Sequence, residues 1–505
     1  MKNILIAIRS IFKKGRHNVM KIVSLGIGLA VGLVLIAKVY FEQSYDDFYP
    51  DRDRVYQVWA KYQQNGGELK DYPQTSGGIA PTMQQQIPEI ETVTRYTSFG
   101  DWTFTMTDTK MKYSGRCIIA DSCFFDILPR PMLIGNAKEV LSTPMYVLVS
   151  SRIAKNIGGD VIGKNFTVDS SPGRTMTIGG VFEEVPENSH SRYDVIVSMA
   201  SAGRFMWEGS PTNMLGNDRY ISYVKLHKGV NPLALEEQVH TFVNSYFPPE
   251  EQQKTGFNIG FSFHELDGLH KELPQVKRMT WILSLLAFAL IFTAVMNYIL
   301  IVISSIVNRS KEVAVHKCYG ASENNIHGMM FGEALVHIVL SLILALLLIL
   351  AFRGTVEELL ATSLDSLLLS NGSLVLLGIC ILVFFVSGFM PGSLYARIPV
   401  ASAFRNYREN KRIWKKALLL VQFVATGFLV TMLVFVARQY TFMVNDRPGY
   451  AYENLAYCGL AGVDSTSRAK ILDEVMRLPG VVAATTVYQL PFEHASGNNI
   501  LLPGE

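Results

Sequence analysis

Charge is scarce in this 505-residue chain, with only 18% of it Asp, Glu, Lys or Arg, where a soluble globular protein carries about 25%. Hydrophobic residues make up 49% and the mean hydropathy is +0.21. That balance weighs against an ordinary soluble enzyme, a disordered chain and a coiled coil. Cysteine is rarer still: five residues cannot supply a disulfide scaffold. Neither sign of charge dominates, and a formal net charge of +3 argues against a nucleic-acid partner gripped by a broad basic face. The motifs of common chemistries are missing too. There is no G-x-S-x-G, no H-E-x-x-H and no glycine-rich phosphate loop. The residues therefore support no catalytic site, no metal site and no cofactor in this chain.

What the chain has instead is long apolar runs. Residues 22–37, 279–308, 334–352, 366–396 and 417–437 carry no charged side chain. A bilayer core about 30 Å thick needs about 20 apolar residues of helix. The runs predict five transmembrane helices, at 22–41, 279–306, 329–352, 372–391 and 417–437. The first run follows Lys2, Arg9, Lys13, Lys14 and Arg16, as a signal peptide would, but no clear small-x-small cleavage site precedes Glu42. It reads as a retained anchor, with Lys38 snorkelling to the interface.

Basic residues then set the orientation. They crowd the N-terminus, the 307–328 loop (Arg309, Lys311, Lys317) and the 392–416 loop (Arg397, Arg405, Arg408, Lys411, Arg412, Lys415, Lys416), which are placed in the cytoplasm. Residues 42–278, the short 353–371 connection and the 438–505 tail fall outside. Ile4, Leu5, Ile8, Ile11 and Phe12 recur at helical spacing, so residues 1–21 read either as an amphipathic helix on the inner leaflet or as the start of the first span.

The 42–278 segment is long enough for its own core and its pattern is mixed. Arg54–Ala60, Met145–Ser150 and Arg174–Phe182 read as strands. Ser151–Ile157 reads as a short helix stopped by Gly158-Gly159, and Asn231-Pro232 as the start of a helix with the stripe Leu235, Val239, Phe242, Val243 and Tyr246. The expected fold is an α-helical integral membrane protein with an inserted α+β extracytoplasmic domain. His264 and His270, with Glu265 and Asp267 between them, match no metal-site template and read as a solvated loop. Cys117 and Cys123 read as two buried thiols rather than a disulfide, and Pro186 to His190 as a polar turn. Asn297, His337 and Gln422, polar groups inside apolar runs, are functional candidates by their position alone.

The stretch Met296-Asn297-Tyr298, then Arg309-Ser310-Lys311-Glu312-Val313-Ala314-Val315-His316-Lys317, then Gly320-Ala321, resembles the loop after the second span of MacB/FtsX-type ABC permeases. His316 stands where that family usually has arginine, and Ala314 where it has glycine. Glu42 to Phe48 with Arg54-Val55-Tyr56, Asp121 to Asp126, and Pro186 to His190 resemble the family's periplasmic core domain. Lys416 to Phe423 resembles the start of the fifth span in long, two-repeat members.

The resemblance implies a permease subunit without ATPase activity of its own, in a bacterial inner membrane, with its N-terminus cytoplasmic and its large domain periplasmic. It implies a separate ABC ATPase that carries the ATP and Mg, a second permease copy as a paired or homodimeric partner, and scope for a periplasmic partner. Arg309, Lys311, Glu312, Val313, His316, Lys317 and Gly320 would form the ATPase-coupling loop, with Arg397, Arg405 and Arg408 as a second cytoplasmic contact. The first two spans would carry motion to the outer domain, driving export or release of an envelope substrate. The other reading is an FtsX-like regulator of cell-wall hydrolases, or a sensor. Leu478-Pro479-Gly480-Val481 with Thr485 faintly echoes Ile87-Pro88-Glu89-Ile90 with Thr94, so 438–505 reads as the start of a second, incomplete periplasmic domain, and the chain as truncated.

Overall fold

The computed structural model describes residues 17–169, 171–216, 218–369, 372–396, 399–400, 413–445, 454–460 and 463–487. A long helix, α1 (Asn18–Gln43), leads into the inserted domain. That domain contains β1 (Val55–Gln64), β2 (Lys70–Tyr72), helix α2 (Ile79–Gln86), β3 (Ile90–Met106), β4 (Lys112–Ala120), β5 (Met132–Ile134), β6 (Tyr146–Ser150), β7 (Asn165–Val168), β8 (Ser171–Phe182), β9 (Val195–Ser198), β10 (Ile221–Leu226), helix α3 (Glu236–Tyr246) and β11 (Phe257–Glu265). The chain then returns through α4 (Pro274–Ser304), α5 (Ile306–Cys318), α6 (Glu323–Ala351), α7 (Arg353–Leu360), α8 (Leu364–Leu368), α9 (Ser373–Ala396), α10 (Ile413–Asn445) and α11 (Ser465–Met476).

Among the described residues the strands form one mixed sheet in the order β11-β1-β10-β3-β4-β9-β6-β8-β5, with β2 on β1 and β7 bridging β3 and β8. The pairs β4–β9 and β6–β8 are parallel and the rest antiparallel. The sheet is the core on both faces. Val58, Ala60, Val224 and Phe261 meet α2 and α3 on one side, and Ile119, Val147, Val149, Ile178 and Val197 fill a second cluster. β1 runs four residues past Ala60 because β11 pairs with it from Tyr56 to Gln64. Pro232 opens a 3-10 turn, Pro232–Leu235, before α3 begins. Along the α3 stripe Leu235, Val239, Phe242 and Val243 are buried, while Tyr246 is exposed.

Ser151–Ile157 is a helix capped by the Ser150 side chain and ended by Gly158 at φ 74. Arg95 explains the turn after β4: its guanidinium grips both Asp121 oxygens at 3.0 and 3.1 Å. Cys117 lies buried in the sheet core, and Cys123 is half-buried, with its thiol donating to the Val93 carbonyl. Burial pushes both thiols up, so neither is primed as a nucleophile.

Among the described residues, five helices are long and apolar enough to cross a membrane: Asn18–Gln43, Pro274–Ser304, Glu323–Ala351, Ser373–Ser393 and Leu419–Asn445. α1 lies between α4 and α6, and α9 closes the bundle on α6. Leu25, Leu29, Leu33 and Val34 of α1 pack with Tyr298, Ile299 and Ile303 of α4 and with Ile326, Met330 and Ile338 of α6. Without a hydrophobic drive inside lipid, such helices associate through close fit. Small residues of α1 supply it. A Cβ on Gly28 would stand 2.2 Å from the Ala294 Cβ, and one on Gly32 would stand 2.4 Å from Ile291.

Polar groups add specific ties: Ser341 donates to the Ile22 carbonyl at 3.1 Å, Tyr298 meets His337 at 3.2 Å, and Lys21 lies 3.7 Å from Glu333. Gly28→Ala should therefore cost about 1–3 kcal/mol by overpacking and visibly lower the thermal midpoint of the detergent-solubilised protein. Gly378→Ala, where nothing lies within 4 Å, should leave that midpoint unchanged or raise it.

Candidate functional site

Two places in the fold lie where the helix bundle gives way to more polar structure. The first is α5. α4 stops at Ser305, whose hydroxyl donates to the Val302 carbonyl at 2.6 Å, and α5 starts at the next residue. The sequence switches there from apolar to polar, so the new helix can be buried on one side only. Val313 and Ala314 are buried against the bundle. Lys311, Val315, His316 and Tyr319 are exposed, and Val315, Tyr319 and Lys311 follow one another at helical spacing. Glu312 and Lys317 are half-buried.

Gly320 ends the helix at φ 87, with the Ala321 N–H returning to the His316 carbonyl at 3.0 Å. That left-handed step suits glycine and turns the chain into α6, which Ser322 caps. The coupling residues read from sequence thus divide. Lys311 and His316 face outward, Val313 seats the helix, and Gly320 makes the turn. Arg309 belongs to α5, but its side chain lies outside the described residues, as do Arg397, Arg405, Arg408 and the N-terminal residues 1–16.

The second place is where α1 and α4 meet the inserted domain. Glu42, in the last turn of α1, is buried between a lysine and a histidine. Lys38 Nζ lies 2.6 Å from one carboxylate oxygen and His270 Nε2 lies 2.6 Å from the other. A buried carboxylate is tolerable only with such partners. His270 sits on the Gly268–Lys271 turn that leads into α4, and its ring stacks on Tyr45 at 3.4 Å. Burial and the neighbouring Glu42 carboxylate push the Tyr45 phenol up to about 12, so it stays neutral in the stack. One carboxylate therefore ties the end of α1 to the start of α4. Lys38 also donates to Thr362 at 3.0 Å.

A few residues further on, the chain after α1 docks on the turn Pro186 to His190. The Asp46 N–H donates to the Asn188 carbonyl at 2.9 Å, and the Asn188 amide donates to the Ser44 carbonyl at 2.6 Å. The Asp46 carboxylate accepts from Ser189 at 2.9 Å and lies 2.7 Å from His190 Nδ1. The other His190 nitrogen meets the Tyr223 hydroxyl. Burial keeps the Tyr223 phenol protonated, so in the neutral ring Nδ1–H donates to Asp46 and Nε2 accepts from Tyr223. Asp46 is wholly buried and takes φ 60, a left-handed conformation that aspartate tolerates better than most residues.

This Asp–His–Tyr row has the residue types of a catalytic relay. Both ends are closed to solvent, however, because Tyr223 and Asp46 are 0% exposed. It can hold the domain in place and cannot reach a substrate. A cleft of about 360 Å³ opens at the Glu42 contact, with Lys38, Glu42, Tyr45, Arg192, His270 and Thr362 among its lining residues.

These contacts correct three sequence expectations. Lys38 does not snorkel to water; it is buried against Glu42 and Thr362, because a nearby carboxylate competes with solvent for the ammonium. His264 and His270 do not share a solvated loop. His264 lies in β11 stacked on Trp59, and His270 lies in a separate helical turn against Glu42. The Pro186 to His190 turn is more than a polar turn, since it is the socket for Asp46. Sequence reasoning missed Glu42, Asp46, His190 and Glu187 as a set. The available signal was an acidic residue on the last turn of an anchor helix, with no local base except Lys38. Of the intramembrane polar residues, His337 is buried on Tyr298, Asn297 is exposed on the outside of the bundle, and Gln422 is half-buried on α10.

A family model for the MacB-like periplasmic core domain matches residues 20–242, and one for the FtsX-like permease C-terminal region matches residues 284–400. The inserted domain is similar to a domain of a permease candidate from Porphyromonas gingivalis, with 32% identity, a TM-score of 0.40, and coverage of 43% of this chain and 91% of that one. It is also similar to the periplasmic region of MacB from Actinobacillus actinomycetemcomitans, with 16% identity, a TM-score of 0.28, and coverage of 41% and 87%. A third similar structure is the extracellular domain of the noncanonical ABC-type transporter YknZ from Gram-positive bacteria, with 10% identity, a TM-score of 0.29, and coverage of 41% and 98%. Comparison with curated proteins gives no match. The two family models meet the chain in the order of its architecture, the first from α1 into the inserted domain and the second across α4 to α9, and the chain belongs to the MacB/FtsX-type permease family.

Proposed function

We propose that this chain is the permease subunit of an ABC transporter, in which a separate ATPase grips α5 on the cytoplasmic side. The motion then passes along α4 and α1 to the periplasmic domain, driving export or release of an envelope substrate. The observation that carries this reading is the form of α5. It is a short helix seated in the bundle by Val313 and Ala314, following α4 with one residue between them, and presenting Lys311, Val315, His316 and Tyr319 outward. A transmitter needs this combination. A rigid seat passes displacement to the span, and an outward face of mixed apolar and basic side chains gives a partner both buried area and orientation. A loop whose only task was to hold charge in the cytoplasm would have no use for an exposed valine and tyrosine one turn apart.

At the other end the same helices need a stiff joint, and the buried Glu42 and Asp46 contacts supply one. ATP and Mg belong to the partner in this scheme, and a second permease copy completes the assembly. The large movements occur in the periplasmic domain and leave no requirement for a central pore.

Affinity purification of the N-terminally tagged protein from its own host should recover an ABC ATPase. Val315→Glu, a substitution on an exposed face, should abolish that recovery without lowering yield or thermal stability. Retention of the ATPase by Val315→Glu and by Tyr319→Ala would remove α5 as the contact. Asp46→Ala should keep the ATPase bound while reducing ATP-dependent protection of the periplasmic domain from protease. An Asp46→Ala protein whose domain still responds to ATP as the wild type does would show that the joint lies elsewhere.

A further inference from the structure

The inserted domain also touches a part of the bundle that the transmission scheme leaves idle, the α7–α8 connection between α6 and α9. Ala361, Thr362 and Ser363 form the bend between these two helices. Ala361 takes φ 49, a left-handed conformation that alanine adopts only at a cost and that must be held by its surroundings.

The holding groups come from three elements. Glu357 of α7 accepts from the Leu364 N–H at 2.9 Å and from Arg353 at 2.9 Å. Lys38 of α1 donates to Thr362 at 3.0 Å. Glu187, in the turn of the inserted domain that also receives Asp46, accepts from the Ser363 N–H at 2.9 Å. Beneath the bend Leu367 is buried with Ala37 and Phe41 of α1. A Cβ on Gly372, just before α9, would stand 2.4 Å from the Tyr40 ring.

We propose that α7–α8 is a brace that registers the resting periplasmic domain against the α6–α9 pair, and that Glu187 is the positioning residue that engages it. The inference rests on the mechanical reading above and adds a resting stop to it. If α1 and α4 move together with the domain while α6 and α9 stay, the contact that must part on the domain side is the Glu187–Ser363 bond, alongside the Lys38–Thr362 bond and the packing of Leu367 on α1. A carboxylate on a backbone N–H suits a stop of this kind. It is a charge-assisted bond, stronger than a neutral one, and water can satisfy both partners once they separate.

The test is a spin-label distance measurement on the full-length protein in lipid nanodiscs, with its ATPase bound. Labels at the exposed Leu133→Cys of β5 and Leu359→Cys of α7 report domain against brace, with the exposed Cys318 and Cys458 replaced by serine. Without nucleotide the parent protein should give one narrow distance, and a non-hydrolysable ATP analogue should shift it. Glu187→Ala should populate the shifted distance without nucleotide, by about tenfold over the parent. Glu187→Gln keeps a carbonyl acceptor at the same reach, and it should retain the narrow distance, which also shows that the variants fold.

A parent that shifts with nucleotide while Glu187→Ala matches it in both states would overturn the brace and leave transmission standing. A parent that ignores nucleotide while Glu187→Ala shifts would support the brace and overturn transmission. Identical, unshifted distances throughout would overturn both.

Discussion

Glu42 is the charge on which the arrangement turns. It sits on the last turn of the first apolar helix, out of water, and a lone carboxylate there would cost several kcal/mol. Lys38 from its own helix and His270 from the approach to α4 remove that cost together. Neither partner alone would join the two helices. Because one carboxylate serves both, α1 and α4 cannot separate at this end without breaking one of its two short contacts. The sequence that follows, from Ser44 to Tyr49, then enters the domain already bonded to the Pro186 to His190 turn. The two helices and the domain are therefore bonded to one another at the joint, which the proposed mechanism uses as a stiff connection.

The opposite end obeys the same logic with different materials. Among its described side chains α5 is seated by Val313 and Ala314, which fit the bundle beside the buried Ser310, while Lys311, Val315, His316 and Tyr319 stay outside. Close packing of Gly28 and Gly32 against α4 links the two ends. In the proposed mechanism displacement at α5 would follow this packed backbone, since close-packed interiors pass strain on rather than absorb it.

Much of this was legible in the sequence, for identifiable reasons. Apolar runs name spanning helices because lipid leaves backbone polar groups no other partner. The Ser151–Ile157 helix was legible because it is bounded by local chemistry, a serine cap and a glycine stop. The outward face of α5 was legible in part. Lys311 and His316 were named through the family motif that the loop resembles, whereas the exposure of Val315 and Tyr319 was not read, because apolar residues are ordinarily assumed to be buried. The joint was not legible. Glu42 and His270 are separated by the whole inserted domain, and Asp46 and His190 by most of it, so no local pattern pairs them. Nothing about a polar turn in isolation reveals that it receives a buried aspartate. The left-handed Ala361 was invisible for a related reason, since the groups that hold it come from α1, α7 and the inserted domain.

The central claim is that force applied at α5 arrives at the joint between α1, α4 and the periplasmic domain. Hydrogen exchange on the full permease–ATPase complex, with and without a non-hydrolysable ATP analogue, tests it most directly. The account predicts that nucleotide changes exchange both in α5 and at the joint, in residues 42–49 and 186–192, with the central β-strands unaffected. A change confined to α5, with the joint exchanging at the same rate in both states, would contradict it.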